Sequence, residues 1–148
     1  MGLPQLDNLV RIRQLKTESP SQAEMDGLIR SGNARLKDAH VETLSLDSRF
    51  DLAYNAAHAF SLAALRWHGY RSEHRFTVFQ CLEHTAKLPP EQWRILDHAH
   101  RKRNVAEYEG HLEIDQSLVE GLIRVAAEVA SRVASLGPVS ATDSSRTR

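Results

Sequence analysis

The sequence predicts an all-α protein: an antiparallel up-and-down bundle of four to five core helices, preceded by one or two short N-terminal helices. Three observations predict it. Apolar residues recur at helical spacing in almost every segment, and little of the chain alternates as a half-buried strand would. Only seven Gly and five Pro interrupt 148 residues, and they fall mostly between the periodic stretches. The connections between those stretches are short, and helices joined by short loops pack antiparallel.

In chain order, a first short helix lies within residues 5–17, where Leu6, Leu9, Val10 and Ile12 form an apolar stripe. Ser21 followed by Glu24 has the spacing of a capping box, so a second short helix starts there and runs to about Ile29. Gly32 and Asn33 allow a break, and the helical period resumes over 34–44 with Leu36, Ala39, His40 and Leu44. Asp47 or Ser48 caps the next helix, about 49–68. Its Ala53, Ala56, Ala57, Ala59, Ala63 and Ala64 permit close approach of neighbours, which predicts a central position. Gly69 ends it. Residues 73–86 form a further helix with Phe76, Phe79 and Leu82 among its apolar positions. "LPPEQW" then punctuates the chain, since Pro90 suits a first helical position. The following helix, about 90–107, closes at Gly110. Asp115 or Ser117 starts the last one, in which Leu118, Leu122, Val125, Val129, Val133 and Leu136 share one face. Gly137 and Pro138 stop it. Residues 1–136 thus read as a single helical domain and 137–148 as a disordered polar tail.

Composition narrows the function classes. A chain of this length buries roughly 70% of its unfolded surface. Hydrophobic residues make up 41% and charged residues 26%, ordinary values for a globular domain. Formal net charge is zero, so binding to nucleic acid can rest only on a local patch. A single cysteine, Cys81, excludes an internal disulfide framework and fits a reducing compartment. No apolar run approaches the ~20 residues that span a bilayer, and the N-terminus lacks the uninterrupted apolar stretch of a signal peptide. The expected location is cytoplasmic.

The stretch "HAHRKRNVAEYEG", residues 98–110, carries the strongest chemical signal. On a helix, Trp93, Leu96, His100, Arg103 and Glu107 share one side. The packing face therefore turns polar in its second half, and Arg103 lies within it. A partly buried Arg requires partners. In one reading Arg103 pairs with Glu107 or another carboxylate and has a structural role. In the other it faces a groove and binds a phosphate through its planar fork of donors, with Arg101 and Lys102 adding positive potential.

Two segments bear on that choice. The first, "SRFDLAYNAAHAFSLAALRWHGYRSEHRF", is similar to the Ala-rich helix and Gly-containing turn of the HEPN superfamily. The second, "RKRNVAEYE", is similar to that superfamily's RN-x-x-x-(H or Y) signature. The resemblance covers about residues 33–136 and is closest to small bacterial HEPN proteins. It implies an α-helical homodimer that binds RNA or a nucleotide. It also implies metal-independent endoribonuclease activity, in which two signatures meet across the dimer, and membership of a toxin–antitoxin or defence system with a nucleotidyltransferase-type partner. Carried onto this chain, Arg103 and Asn104 occupy the first two signature positions, and Tyr108 stands where active ribonucleases have His. An unperturbed phenol titrates near 10 and is a poor base at neutral pH. Among relatives such a tyrosine is itself modified by the partner enzyme. His100, at i,i+3 from Arg103, is the histidine best placed to move protons in its stead. Asn55 and His58, on the Ala-rich helix, are supporting candidates beside Glu107. The alternative class is a non-catalytic dimeric interaction module whose Arg-Asn pair is structural.

Other constellations carry less. His98 and His100 point to nearly opposite sides of a helix, and no metal motif accompanies them, so neither a metal nor a cofactor is expected. Cys81 reads as a buried, inert thiol. Trp67 and Tyr70 sit in the Arg- and His-rich "RWHGYRSEHR" and either stack bases or face the core.

Overall fold

A computed structural model describes residues 3–111 and 113–139. Among them the chain is an all-α bundle with one small two-stranded sheet. The elements are α1 (Pro4–Arg11), β1 (Lys16–Thr17), α2 (Gln22–Ala39), α3 (Leu46–Trp67), β2 (Tyr70–Arg71), α4 (Arg75–Gln80), α5 (Leu82–Thr85), α6 (Pro90–Glu109) and α7 (Gln116–Ala134). The alanine-rich α3 is central, as its small residues predict. It packs along both α2 and α7, and α6 leans on α7. Phe50, Tyr54, Phe60, Leu96, Leu122 and Val129 fill the main core. No helix among the described residues is long and apolar enough to cross a membrane.

The expected break at Gly32 and Asn33 does not occur, and α2 runs unbroken through both. Gly32 is buried because α3 approaches closely there. A Cβ on it would lie 2.7 Å from the Phe60 ring. The glycine serves helix packing instead of chain reversal. The expected continuation to Leu44 ends instead at Ala39. Arg49, only 7% exposed, donates its Nε to the Ala39 carbonyl at 2.8 Å and satisfies one of the helix-end acceptors.

Ser21 caps α2 by accepting from the Glu24 amide at 3.2 Å. The reciprocal half of the box is absent, because Glu24 turns its carboxylate to Arg66 and Arg71. Ser45 caps α3, in place of the expected Asp47 or Ser48. The helix predicted over 73–86 is divided into α4 and α5 at Cys81. Gly110 ends α6 in the left-handed region, with φ of 78°, and Asp115 caps α7 at 2.8 Å from the Leu118 amide.

The strands are an addition to the expected fold. Lys16 pairs with Arg71 and Thr17 with Tyr70, antiparallel. Two residues per strand are too few to show a period. They tie the N-terminal segment to the end of α3. Arg66 reinforces the tie from a site only 1% exposed. It donates to the Glu24 carboxylate and to the carbonyls of Glu18 and Ser19. The segment after α7 is held as well: Trp67 Nε1 donates to the Gly137 carbonyl, and the buried Val139 donates its amide to Gln22. Gly137 and Val139, in the segment expected as tail, are thus bonded to α3 and α2, and 140–148 lie outside the described residues.

Gly32→Ala should lower stability by about 1–2 kcal/mol despite the better helix propensity of alanine, because Phe60 must shift in a filled core. A drop in the urea midpoint checks this; an unchanged or raised midpoint would show that the ring has room to swing aside.

Candidate anion-binding cleft

One turn of α3 organises the site. Asp51, Tyr54 and Asn55 project from that turn toward the start of α4 and the second half of α6. Tyr54 is 2% exposed, and its ring carries two guanidinium groups. The Cζ of Arg75, from α4, and that of Arg103, from α6, each lie 5.3 Å from the ring centroid. Cation–π contact of this kind contributes most where water is excluded. The same turn holds each cation a second way. Arg103 Nη1 donates to Asp51 Oδ1 at 2.7 Å, and Arg75 Nη1 donates to Asn55 Oδ1 at 2.8 Å. Asn55 is fixed in turn by donating to the Asp51 carbonyl at 2.8 Å.

The Tyr54 hydroxyl meets His100 Nδ1 at 2.9 Å, and His100 Nε2 meets Asn104 Nδ2 at 3.2 Å. In this orientation the Asn104 amide donates, so Nε2 accepts and Nδ1 carries the proton. Tyr54 then accepts from His100, and its own hydroxyl proton is released for another acceptor. Phe76 stands 5.7 Å from the imidazole, centroid to centroid, with Phe79 behind at 6.4 Å. Tyr54, Arg75, Phe76, His100, Arg103 and Asn104, together with Glu73, His74 and Glu107, line an open cleft of about 530 Å³.

Burial sets the protonation states. It holds the Tyr54 phenol above its ordinary value, although the charges of Arg75 and Arg103 pull the other way. It lowers His100, against the opposing charge of Asp97, so the ring is neutral at pH 7. His58 packs on Phe79 at 6.0 Å behind the cleft, and burial followed by the Arg75 charge lowers it to about 4. Burial pushes the Cys81 thiol up to about 12, which makes it inert.

The structure brings Arg103, Asn104, His100 and Glu107 to this cleft, and Asn55 reaches it through its bond to Arg75. It does not bring the rest. Tyr108 is 92% exposed and lies outside the lining. Arg101 pairs with Asp97 at 3.1 Å, and Lys102 joins His98 in a separate groove beside Ile114 and Leu118. At about 100° per residue His100, Arg103, Asn104 and Glu107 share one arc of α6, and Arg101 and Lys102 fall outside it. His111 meets Glu113 in the loop beyond. Tyr70 is buried, with its hydroxyl donating to Asp7 at 2.6 Å, and is unavailable for stacking on bases. Among the described residues no group of three His, Cys, Asp or Glu is arranged to hold a metal.

Sequence reasoning missed Arg75, Asp51 and the central part of Tyr54. Asp51 and Asn55 at i,i+4 around Tyr54 were a readable stripe; the arrival of Arg75 depends on how α4 docks. No family model matches the chain, and no curated protein or solved structure matches it.

The half-buried His58 makes stability pH-dependent. Its folded pKa, about 4, lies below the ordinary value of 6.5, so its contribution is complete above 6.5 and is lost as pH falls toward 4. The loss should reach roughly 3 kcal/mol. Urea unfolding at pH 7 and pH 4.5 should show a smaller gap for His58→Leu than for the parent chain; equal gaps would mean that this imidazole does not drive the acid lability.

Proposed function

We propose that this chain is a HEPN-like RNA-binding domain that acts as a homodimer, and that the cleft between α3, α4 and α6 receives an RNA phosphate. The observation that carries this reading is the convergence of two arginines and a neutral imidazole on one buried tyrosine. Guanidinium forks match phosphate oxygens, and a partly enclosed site strengthens the match. Phe76, 38% exposed at the rim, offers a face on which a base can stack.

The same groups support metal-independent cleavage. Attack by a 2′-hydroxyl on its neighbouring phosphodiester needs a group to move protons and cations to stabilise the crowded phosphate. Tyr108 faces solvent, so the proton-moving role falls to His100, whose lowered pKa keeps it neutral at pH 7 and whose Nε2 can accept a proton once a substrate hydroxyl displaces the Asn104 amide. Arg103 and Arg75 supply charge, and Asn104 fixes the imidazole. A second copy has a place on the outer side of α6, where Val105 is 48% exposed and Tyr108 92%. Before that second copy docks, the same exposure leaves the Tyr108 phenol open to a nucleotidyltransferase-type partner in a toxin–antitoxin or defence setting.

One observation favours a second reading. The Arg103–Asp51 ion pair is what a structural arginine would make, and it fits a non-catalytic interaction module. Purified protein separates the two. The RNA-binding reading expects cleavage of single-stranded RNA that persists in EDTA and falls by at least about 100-fold in His100→Ala, with binding retained. No RNA binding by the parent chain, together with loss of self-association in Arg103→Ala, would establish the module instead.

A further inference from the structure

We infer that Arg75 is the anion-binding cation that the resting cleft holds ready, and that Asp51 withholds Arg103 until a phosphate arrives. This rests on the phosphate reading of the cleft above and adds an order of engagement within it.

The two arginines share the Tyr54 ring but differ in what grips them. Arg75 is held by the amide oxygen of Asn55, a neutral acceptor. Such a partner fixes the guanidinium and leaves its charge uncancelled. Among the described residues no carboxylate forms an ion pair with Arg75. Glu73, two residues earlier, reaches Lys16 at 3.8 Å. Arg103 is held by a carboxylate, which orients it and also cancels it. Glu73 and Glu107 line the cleft as well, and with Asp51 they set three carboxylates against Arg75, Arg103 and the Lys16 that Glu73 reaches, so the resting site is close to electrically balanced. An anion entering it meets Arg75 first as usable positive charge.

The Arg103–Asp51 pair is suited to being exchanged. The Asp51 side chain is 56% exposed and that of Arg103 is 32% exposed. Exposed ion pairs contribute little, whereas a phosphate offers two charge-assisted contacts to one guanidinium. Tyr54 keeps the Arg103 guanidinium over its ring while the partner changes. Asp51 can then turn to solvent, and Asn55 stays anchored because it bonds the backbone carbonyl of Asp51 and not its carboxylate. Asp51 acts through Arg103 and is a positioning residue that sets affinity.

The test is fluorescence anisotropy of a labelled single-stranded RNA octamer against the parent chain, Arg75→Gln, Arg103→Gln, Asp51→Asn and the Asp51→Asn/Arg103→Gln double variant, each first checked for an unchanged melting curve. Arg75→Gln should weaken binding about tenfold or more, and Arg103→Gln less. Asp51→Asn keeps an oxygen for Arg103 and removes the charge, so it should tighten binding several-fold. That gain should vanish in the double variant. Weakening by Asp51→Asn, or a larger loss from Arg103→Gln than from Arg75→Gln, overturns the inference while leaving the phosphate reading intact. Absence of binding by the parent and by Asp51→Asn overturns both. Should Arg75→Gln fail to fold, Arg75→Met takes its place with the same expected loss, while Asp51→Asn and the double variant test the hold on Arg103.

Discussion

The site depends on a tyrosine ring buried among charges. Tyr54 sits in the hydrophobic core, yet two guanidinium groups and an imidazole close over it. A buried polar group is costly unless it is bonded, and each member of this cluster is bonded. Arg103 has Asp51, Arg75 has Asn55, Tyr54 has His100, and His100 has Asn104. The partners come from three helices that meet only in the folded chain. The cluster therefore locks the mutual placement of α3, α4 and α6 and concentrates chemistry at the place where they join.

Such a cluster needs a stiff platform, and α3 is fastened at both ends. Near its start, Arg49 is bonded to the last turn of α2. Near its end, Arg66 gathers Glu24 and two carbonyls of the N-terminal segment, and β1–β2 closes over them. Removing one partner of a buried network like this leaves the others unpaired, which is why single losses there are expensive. Alanines along the remaining length let α2 and α7 press close. A turn of α3 held so firmly can present Asp51, Tyr54 and Asn55 with little freedom, the condition that a binding constellation requires.

Much of the fold was legible because helices announce themselves locally. The stripe of α7, the cap at Asp115, the left-handed glycine at 110 and the alanine content of α3 are features of neighbouring residues. The errors came where a residue answers to a distant partner. Gly32 reads as a breaker in sequence, but its missing side chain makes room for Phe60. Ala39 ends α2 earlier than its period implies, as Arg49 reaches its carbonyl. The cleft divided in the same way. Arg103, Asn104 and His100 share a helix side and could be grouped from spacing. Arg101 and Lys102 were grouped with them by adjacency, which helical geometry does not respect. Arg75 had no local signal to join it to a helix distant in sequence, and the stripe of Asp51 and Asn55 was readable without pointing to Arg103.

The most direct measurement follows the side chains themselves. A two-dimensional NMR titration with single-stranded RNA can monitor the Nε–H groups of Arg75 and Arg103 and the imidazole of His100. The expected result is that these three signals shift together, along one binding curve, while the Lys102 and His98 signals of the opposite groove stay still. Shifts confined to that opposite groove, or none at any of the three, would contradict the claim that the Tyr54 cluster is an anion site.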